Sequence, residues 1–383
     1  MSTTASTDTR LLAPTRATID LGALQHNAHQ LTHRAAAADV MAVIKADAYG
    51  HGAPRVAHAL LDAGVAQFAV ATLPEAIALR EAGIAAPVLI FGAPLVEMLP
   101  AYAAYDIGVT VSSVHVAKAI AHHAGAGHRF SAHVKLDTGM RRIGLEAGEV
   151  AATIALLEHT AGVDIASVWT HLATVQDAFV EEQIDRFLDV LEQHDLTERY
   201  THVLNSSALL WKPELASRFP RRMVRSGIAL FGLHKALAAQ PDVQLRPVMR
   251  LTSRVSHIKT VATGESVSYD RRWRAPRPTR VATVAAGYAD GYPRALTNRA
   301  FVGIHGVRYP VIGTVCMDMF MVGLGPAGSA GDAVHVGDEV VLFGEGGPSG
   351  MEVAAWAETI PYEICCRVSQ RVPRFYADAA PQE

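Results

Sequence analysis

Residues 41–71 read MAVIKADAYGHGAPRVAHALLDAGVAQFAVA. A β-like run, Met41–Ala46, leads into a glycine-rich stretch, then PRVAHALLDAG, then a second apolar run, Phe68–Ala71. In the middle segment apolar residues recur at three- and four-residue spacing, and a glycine follows the last of them. That is the pattern of an amphipathic helix with a C-terminal stop. The alternation continues through β-like runs at Val88–Gly92, Gly108–Ser112, Ala132–Asp137, Ala166–His171, His202–Asn205 and Met223–Arg225. Helical patterns such as LPEAIALREAG, SSVHVAKAIAHHAG, EVAATIALLEH and FVEEQIDRFLDVLEQH lie between most of them. Strands that alternate with helices pair in parallel. Eight such runs predict an α/β fold, a closed (β/α)8 TIM-type barrel in preference to an open doubly wound sheet.

Past about residue 250 the texture changes. LTSRVSHIKTVATGESVSY, RVATVAAGY, FVGIHGVRYPVIG, CMDMFMVGLG and DEVVLFG alternate apolar and polar residues between Gly, Pro and Asp turns, with one late helix, MEVAAWAETI. This predicts a mostly antiparallel β domain. The expected division is a disordered tail over 1–14, the barrel over 15–250 and the β domain over 251–383. The tail, MSTTASTDTRLLAP, lacks the basic start and apolar core of a secretory signal.

The 383 residues are half hydrophobic, and the net charge is −3. That balance gives no reason to expect nucleic acid or an anionic membrane as partner. No run approaches the ~18 apolar residues of a membrane span. Three cysteines, two of them adjacent, make a poor disulfide framework and fit a reducing cytoplasm. No metal-binding spacing occurs.

In barrels of this kind chemistry gathers at the carboxyl ends of the strands. Lys45 ends the first run, Lys135 and Asp137 the fifth with Arg142 beyond, and His171 the sixth. Asn205 and Ser206 end the seventh, and Arg225, Gly227 and Ile228 end the eighth. Partial burial of Lys45 beside Ile44 favours the neutral amine, a nucleophile toward an aldehyde. Alone it would read as a lysine laying its stem across an apolar rim.

AVIKADAYGHG resembles the cofactor-lysine signature of the alanine racemases. DTGMRRIG, VWTHLAT, NSSALL, VRSGIALFG, SVSY, AGYADGYPR, GTVCMDM and TIPYE are similar to further blocks of that family, in the same order. The match runs from about Arg16 to Tyr376. It implies a pyridoxal 5'-phosphate barrel followed by a β domain, a small amino-acid substrate, and a homodimer with shared active sites. The implied reaction interconverts L- and D-alanine, supplying D-alanine for peptidoglycan.

The resemblance further implies that Lys45 holds the cofactor and carries one Cα proton. Tyr269 of the neighbouring subunit would carry the other, because racemisation needs an acid/base on each face. Arg225 would contact the pyridine nitrogen. A guanidinium is always charged and only donates, so that nitrogen should stay unprotonated. Tyr49, Ser206, Gly227, Ile228 and Tyr362 match the phosphate cradle, and Asn205 a position beside the cofactor. Arg142 matches the residue that contacts the phenolic oxygen and the substrate carboxylate. Lys135 matches a lysine often carbamylated in the family; the alternative is an unmodified lysine held by Asp137. His171 matches a residue that bonds Arg225 and relays toward Tyr269. Met317 and Asp318 match residues that approach the substrate from the other subunit, and Tyr288 and Tyr292 would line the entrance.

Two departures stand out. Thr314 stands where the family usually carries an Arg along the entry corridor, which removes a fixed charge that could steer a carboxylate. Arg141 stands where Gly is usual and could partly compensate. The basic loop Asp270–Arg280 reads as solvated rather than nucleic-acid-binding. A broader racemase that also takes serine is the nearest competing reading, since one extra group is worth only about 1–3 kcal/mol of discrimination. A related barrel decarboxylase would want an acidic residue in place of Arg225. A non-catalytic pyridoxal-phosphate carrier would want the barrel alone.

Overall fold

The computed structural model describes residues 12–36, 38–234 and 242–378. Most of the expected tail, through Leu11, lies outside the described residues. The chain divides into two compact units: 24–48 with 52–246, and 1–23 with 49–51 and 247–383.

The first unit is a closed barrel of eight parallel strands. After β1 (Arg16–Asp20) come the barrel strands β2 (Asp39–Val43), β3 (Gln67–Val70), β4 (Val88–Ile90), β5 (Gly108–Val111), β6 (Phe130–Lys135), β7 (Val163–Trp169), β8 (Thr201–Asn205) and β9 (Arg222–Ser226). β2 closes the ring on β9, with Met41 beside Arg225. Met41, Val43, Ala69, Leu89 and Met223 pack together, and Phe91 and Tyr200 lie against them. Such inward side chains make the barrel a packed core.

The second unit is built on an eight-stranded sheet. Its long strand β10 (Met249–Val261) pairs antiparallel with β1, β17 (Glu339–Phe343) and β13 (Thr279–Val284). The sheet is completed by β14 (Phe301–Ile304), β15 (Val307–Ile312), β16 (Phe320–Gly325) and β18 (Arg374–Ala377). A two-stranded ribbon, β11 (Ser266–Val267) with β12 (Trp273–Arg274), stands apart.

The structure moves one domain boundary. Residues 15–23 were expected in the barrel, but β1 sits between β10 and β18 in the second unit. A five-residue strand carries no signal for partners more than 200 positions away. The expected late helix runs Gly350–Trp356, and a second helix, Pro361–Cys366, follows it.

Strands β2, β6 and β7 stop two or three residues short of the expected ends. Past β2 the backbone turns left-handed at four successive non-glycine residues, Ala46, Asp47, Ala48 and Tyr49, with φ of 52 to 53°. Each such residue costs about 1–2 kcal/mol. Hydrogen bonds hold the turn. The Ala46 amide donates to Glu75 Oε1 at 2.7 Å, the Ala53 amide to Asp47 Oδ1 at 2.7 Å, and the Gly52 amide to the Asp47 carbonyl at 3.0 Å. The other Glu75 oxygen accepts from the Ala71 and Thr72 amides at 2.8 and 3.2 Å. One carboxylate therefore ties the start of the helix after β3, Leu73–Glu81, to the residue after Lys45. Gly50 has φ +81°, and a Cβ there would meet the Cys365 carbonyl oxygen at 2.4 Å, so no side chain fits.

Glu75→Ala should destabilise the protein by about 0.5–2 kcal/mol, since three amides, that of Ala71 half-buried and those of Ala46 and Thr72 exposed, lose their acceptor. Urea titration measures this. Glu75→Gln, which keeps an acceptor oxygen, should lose less; equal stability of all three proteins would contradict the clamp.

Candidate functional site

Arg225 is the best-defined group at the barrel's carboxyl end. It is 2% exposed and sits near the end of β9. Its NH1 donates to His202 Nδ1 at 3.0 Å and, in a very short contact, to the His202 carbonyl. Its NH2 donates to the Thr170 and Val203 carbonyls at 2.9 and 2.8 Å, with His171 Nδ1 at 3.3 Å. No carboxylate pairs with it among the described residues, and Nε–H is the one guanidinium donor left over there. Burial pulls its pKa down to about 9, so it remains a cation at neutral pH. The ring faces of Trp169 and Phe91 lie 5.2 and 6.0 Å from its central carbon. Their quadrupoles partly replace the missing counter-charge.

Lys135 ends β6 and is 1% exposed. Its ammonium donates to the Ile143 carbonyl at 2.6 Å and lies 5.1 Å from the Trp169 ring centre, which it shares with Arg225. Burial lowers its pKa to about 8, helped by Arg225 and Arg142 and opposed by Asp137. Burial pushes Asp137 up, but the amides of Arg141 and Gly139 and the Lys135 charge more than offset it, so it stays below its usual value. Arg142 is exposed just beyond, with no ion pair among the described residues.

His171 lies two residues past β7. A guanidinium cannot accept, so His171 Nδ1 accepts from Arg225 and the neutral ring carries its proton on Nε2. Burial, then the charges of Arg225, Arg142, Lys135 and Lys45, lower its pKa to about 2. Lys45 is half-buried one residue after Ile44, at the start of the left-handed turn.

Two short helical N-termini meet nearby. Asn205 Oδ1 accepts from the Ala208 amide at 3.0 Å and so caps the helix Ser206–Trp211. The Gly227 amide donates to Ser206 Oγ at 2.8 Å, and buried Ile228 opens the next helical turn. Backbone N–H groups at such ends favour an anion.

In the second unit Tyr49 and Tyr362 form an edge-to-face pair with ring centres 5.9 Å apart. Tyr269 is 70% exposed on a strained loop, with positive φ at Ser268, Asp270 and Arg271. Met317, Asp318 and Tyr288 are also exposed. Asp318 Oδ1 accepts from Arg371, which bridges it to Asp290. Two expected entrance residues are instead internal. Tyr292 is 1% exposed and stacks on Phe320 at 4.7 Å. Thr314 is 1% exposed, and its hydroxyl donates to the Tyr269 carbonyl at 2.9 Å. That bond ties Thr314 to the Tyr269 loop. Arg141 is turned to Glu146 at 2.7 Å. The Asp270–Arg280 loop meets local partners: Arg272 reaches Asp270, and Arg274 the Gly264 carbonyl.

Sequence reasoning passed over Glu75, Trp169, His202, Ser167 and His133. His202 and His133 lay inside apolar runs, where a lone polar residue reads as an ordinary strand residue.

Neutral histidines, His202 buried and His133 and His171 half-buried, set an acid limit. His133, His171 and His202 all have lowered pKa values in the fold, so the unfolded chain binds more protons once pH falls below the ordinary imidazole value of ~6.5. The urea midpoint should therefore fall between pH 7 and 5; a flat profile over that window would contradict neutral burial.

Comparison with known proteins completes the picture. Residues 19–235 match the family model "Alanine racemase, N-terminal domain", and residues 248–376 the model "Alanine racemase, C-terminal domain". The chain is 40% identical to an alanine racemase of Chlorobaculum tepidum over 370 residues, 94% of each protein. It is also 40% identical to that of Mycolicibacterium smegmatis over 386 residues, 97% of each. It superposes on the crystal structure of alanine racemase from E. faecalis with a TM-score of 0.87 and 35% identity, covering 96% of this chain and 99% of that one. For the Bacillus anthracis enzyme with bound L-Ala-P the TM-score is 0.86 and the identity 33%, with 95% of each chain covered. With both domain models matched in order over the barrel and the sheet that carry these residues, the chain belongs to the alanine racemase family.

Proposed function

We propose that this protein is a pyridoxal 5'-phosphate-dependent racemase that interconverts L- and D-alanine in the cytoplasm, as a homodimer with shared active sites, and supplies D-alanine for peptidoglycan. The observation that carries the reading is the donor set of Arg225. Its NH1 and NH2 hydrogens are spent on carbonyls and neutral imidazoles, and no carboxylate touches it among the described residues. The remaining Nε–H suits an acceptor that bears no proton, as an unprotonated pyridine nitrogen does. A carboxylate there would favour a protonated ring and decarboxylase-type chemistry instead.

Bound pyridoxal phosphate supplies an electron-withdrawing ring that acidifies Cα of an attached amino acid. Lys45 would hold its aldehyde carbon. Ser206, the amides of Gly227 and Ile228, and the hydroxyls of Tyr49 and Tyr362 would hold its phosphate, with Asn205 beside it. Lys45, Lys135, Arg142 and Arg225 outnumber Asp137, an excess of positive charge that an anionic cofactor and a carboxylate substrate complement. Arg142 would orient the substrate carboxylate, braced by Lys135. A pKa near 8 gives Lys135 an appreciable share of neutral amine, the form that carbamylation requires.

Inversion at Cα needs a proton taken from one face and one delivered to the other. Lys45 serves one face. Tyr269 of the partner subunit serves the other, with Met317 and Asp318 beside it, and neutral His171 links Tyr269 to Arg225. The exposure of Tyr269, Met317, Met319 and Tyr288 supports the dimer, because a soluble monomer seldom leaves so many large apolar groups in water.

The test is to incubate the protein and cofactor with single L-amino acids in deuterated water and follow chirality and Cα deuterium. L-alanine should racemise with deuterium incorporated; retained chirality with every amino acid would sink the reading. Serine turning over as well as alanine would favour the broader racemase. Tyr269→Phe should retain cofactor and lose proton removal from one enantiomer preferentially, whereas equal loss toward both would contradict the two-base assignment. A 13C-bicarbonate carbamate signal should appear in the wild type and vanish in Lys135→Ala; its absence from the wild type would leave Lys135 as a plain cation.

A further inference from the structure

A chain of polar side chains crosses the barrel interior below Arg225, and the racemase reading does not use it. Arg225 NH1 lies 3.0 Å from His202 Nδ1. His202 Nε2 lies 2.9 Å from Ser167 Oγ, and Ser167 Oγ lies 2.7 Å from His133 Nδ1. The four residues stand on β9, β8, β7 and β6, one per strand, and His133 and Ser167 are register partners. The chain ends at a cavity of about 160 Å³ at the amino end of the barrel, lined by Ser131, Asp106 and Gln67 as well as His133.

The first bond fixes His202, and the rest follow once the Ser167 hydroxyl proton is given to His133 Nδ1, its nearest acceptor at 2.7 Å. A guanidinium only donates, so His202 Nδ1 must be the lone-pair nitrogen. The neutral ring then carries its proton on Nε2 and donates to Ser167 Oγ. Ser167 in turn donates its hydroxyl proton to His133 Nδ1, which leaves the His133 proton on Nε2, toward Ser131 Oγ at 3.5 Å. Burial lowers both imidazoles, His133 to about 4 and His202 well below its ordinary value, so neither competes as a cation.

Two packing features fix the rings. Trp169 stacks on His202 with centroids 5.2 Å apart and planes 14° apart. Gly108 on β5 leaves room for His133, since a Cβ there would meet His133 Nε2 at 2.8 Å. The position of that glycine has no backbone reason, because its φ is not in the left-handed region.

We propose that Ser167 is a positioning residue for Arg225, acting through His202: the Arg225–His202–Ser167–His133 chain locks His202 as the Nε2–H tautomer and so aims the guanidinium across the barrel mouth. The proposal rests on the assignment of Arg225 to the cofactor ring nitrogen for its consequence in catalysis. The tautomer lock stands without that assignment, so the two fail separately.

The experiment is 15N NMR of the histidine side chains in the holoenzyme, with kinetics of Ser167→Ala and Ser167→Thr. His202 and His133 should each show one neutral Nε2–H tautomer from pH 5 to 9. Ser167→Ala should bring the His202 signals into tautomeric exchange and lower kcat about tenfold with KM nearly unchanged, the size expected for a small misplacement of one group. Ser167→Thr, which keeps the hydroxyl, should restore both. Gly108→Ala, which displaces His133 without removing a polar group, should perturb the same signals and serves if Ser167→Ala does not fold. A wild-type His202 that is protonated on Nδ1, or variants that leave its signals and kcat unchanged, would overturn the proposal. A locked tautomer in a protein that racemises no amino acid would retain the chain and overturn its catalytic consequence.

Discussion

Everything at the barrel mouth answers to a guanidinium buried with no carboxylate partner among the described residues. Taking such a charge out of water costs several kcal/mol. Arg225 recovers this through hydrogen bonds to the carbonyls of Thr170, His202 and Val203, each worth about 1.5–3 kcal/mol when the donor is charged. The faces of Trp169 and Phe91 add cation–π attraction of about 1–2 kcal/mol. A carboxylate would neutralise the charge more simply. It would also occupy the donors and weaken the positive field that, second to burial, keeps His171 and His202 neutral.

That field has consequences outward and inward. Outward, Lys135 shares Trp169 with Arg225, its pKa lowered first by burial and then by the charges of Arg225 and Arg142, and exposed Arg142 adds a further cation, so the mouth suits anions. Inward, His202 must present a lone pair to NH1, and this orders the hydrogen bonds through Ser167 to His133. The left-handed turn after Lys45 is a second strained element at the same end of the barrel, held by Glu75 and Asp47. Strain of this kind persists where surrounding structure over-determines it.

Much of this was legible in the sequence. Periodicity identified all eight barrel strands, and their ends picked out Lys45, Lys135, His171 and Arg225, because rim position follows from strand position. The part that was not legible depends on distant partners. Residues 15–23 were assigned to the barrel with no strand read there, and only the pairing of β1 with β10 and β18 moves them to the second unit. No glycine marks the turn at Ala46–Tyr49, so the motif gave no hint of its left-handed backbone. Ser167, His202 and His133 alternate with apolar neighbours as any strand residue does, and only the closure of the barrel joins them. Tyr292 and Thr314 were placed at an entrance, yet one is core and the other holds the Tyr269 loop.

The central claim is that Arg225 faces an acceptor that carries no proton. It is tested most directly by loading the protein with pyridoxal phosphate labelled with 15N in the ring and recording the ring-nitrogen chemical shift across neutral pH. The account predicts the shift of an unprotonated, hydrogen-bonded pyridine nitrogen that does not titrate between about pH 6 and 9. The shift of a protonated pyridinium in that range would contradict it.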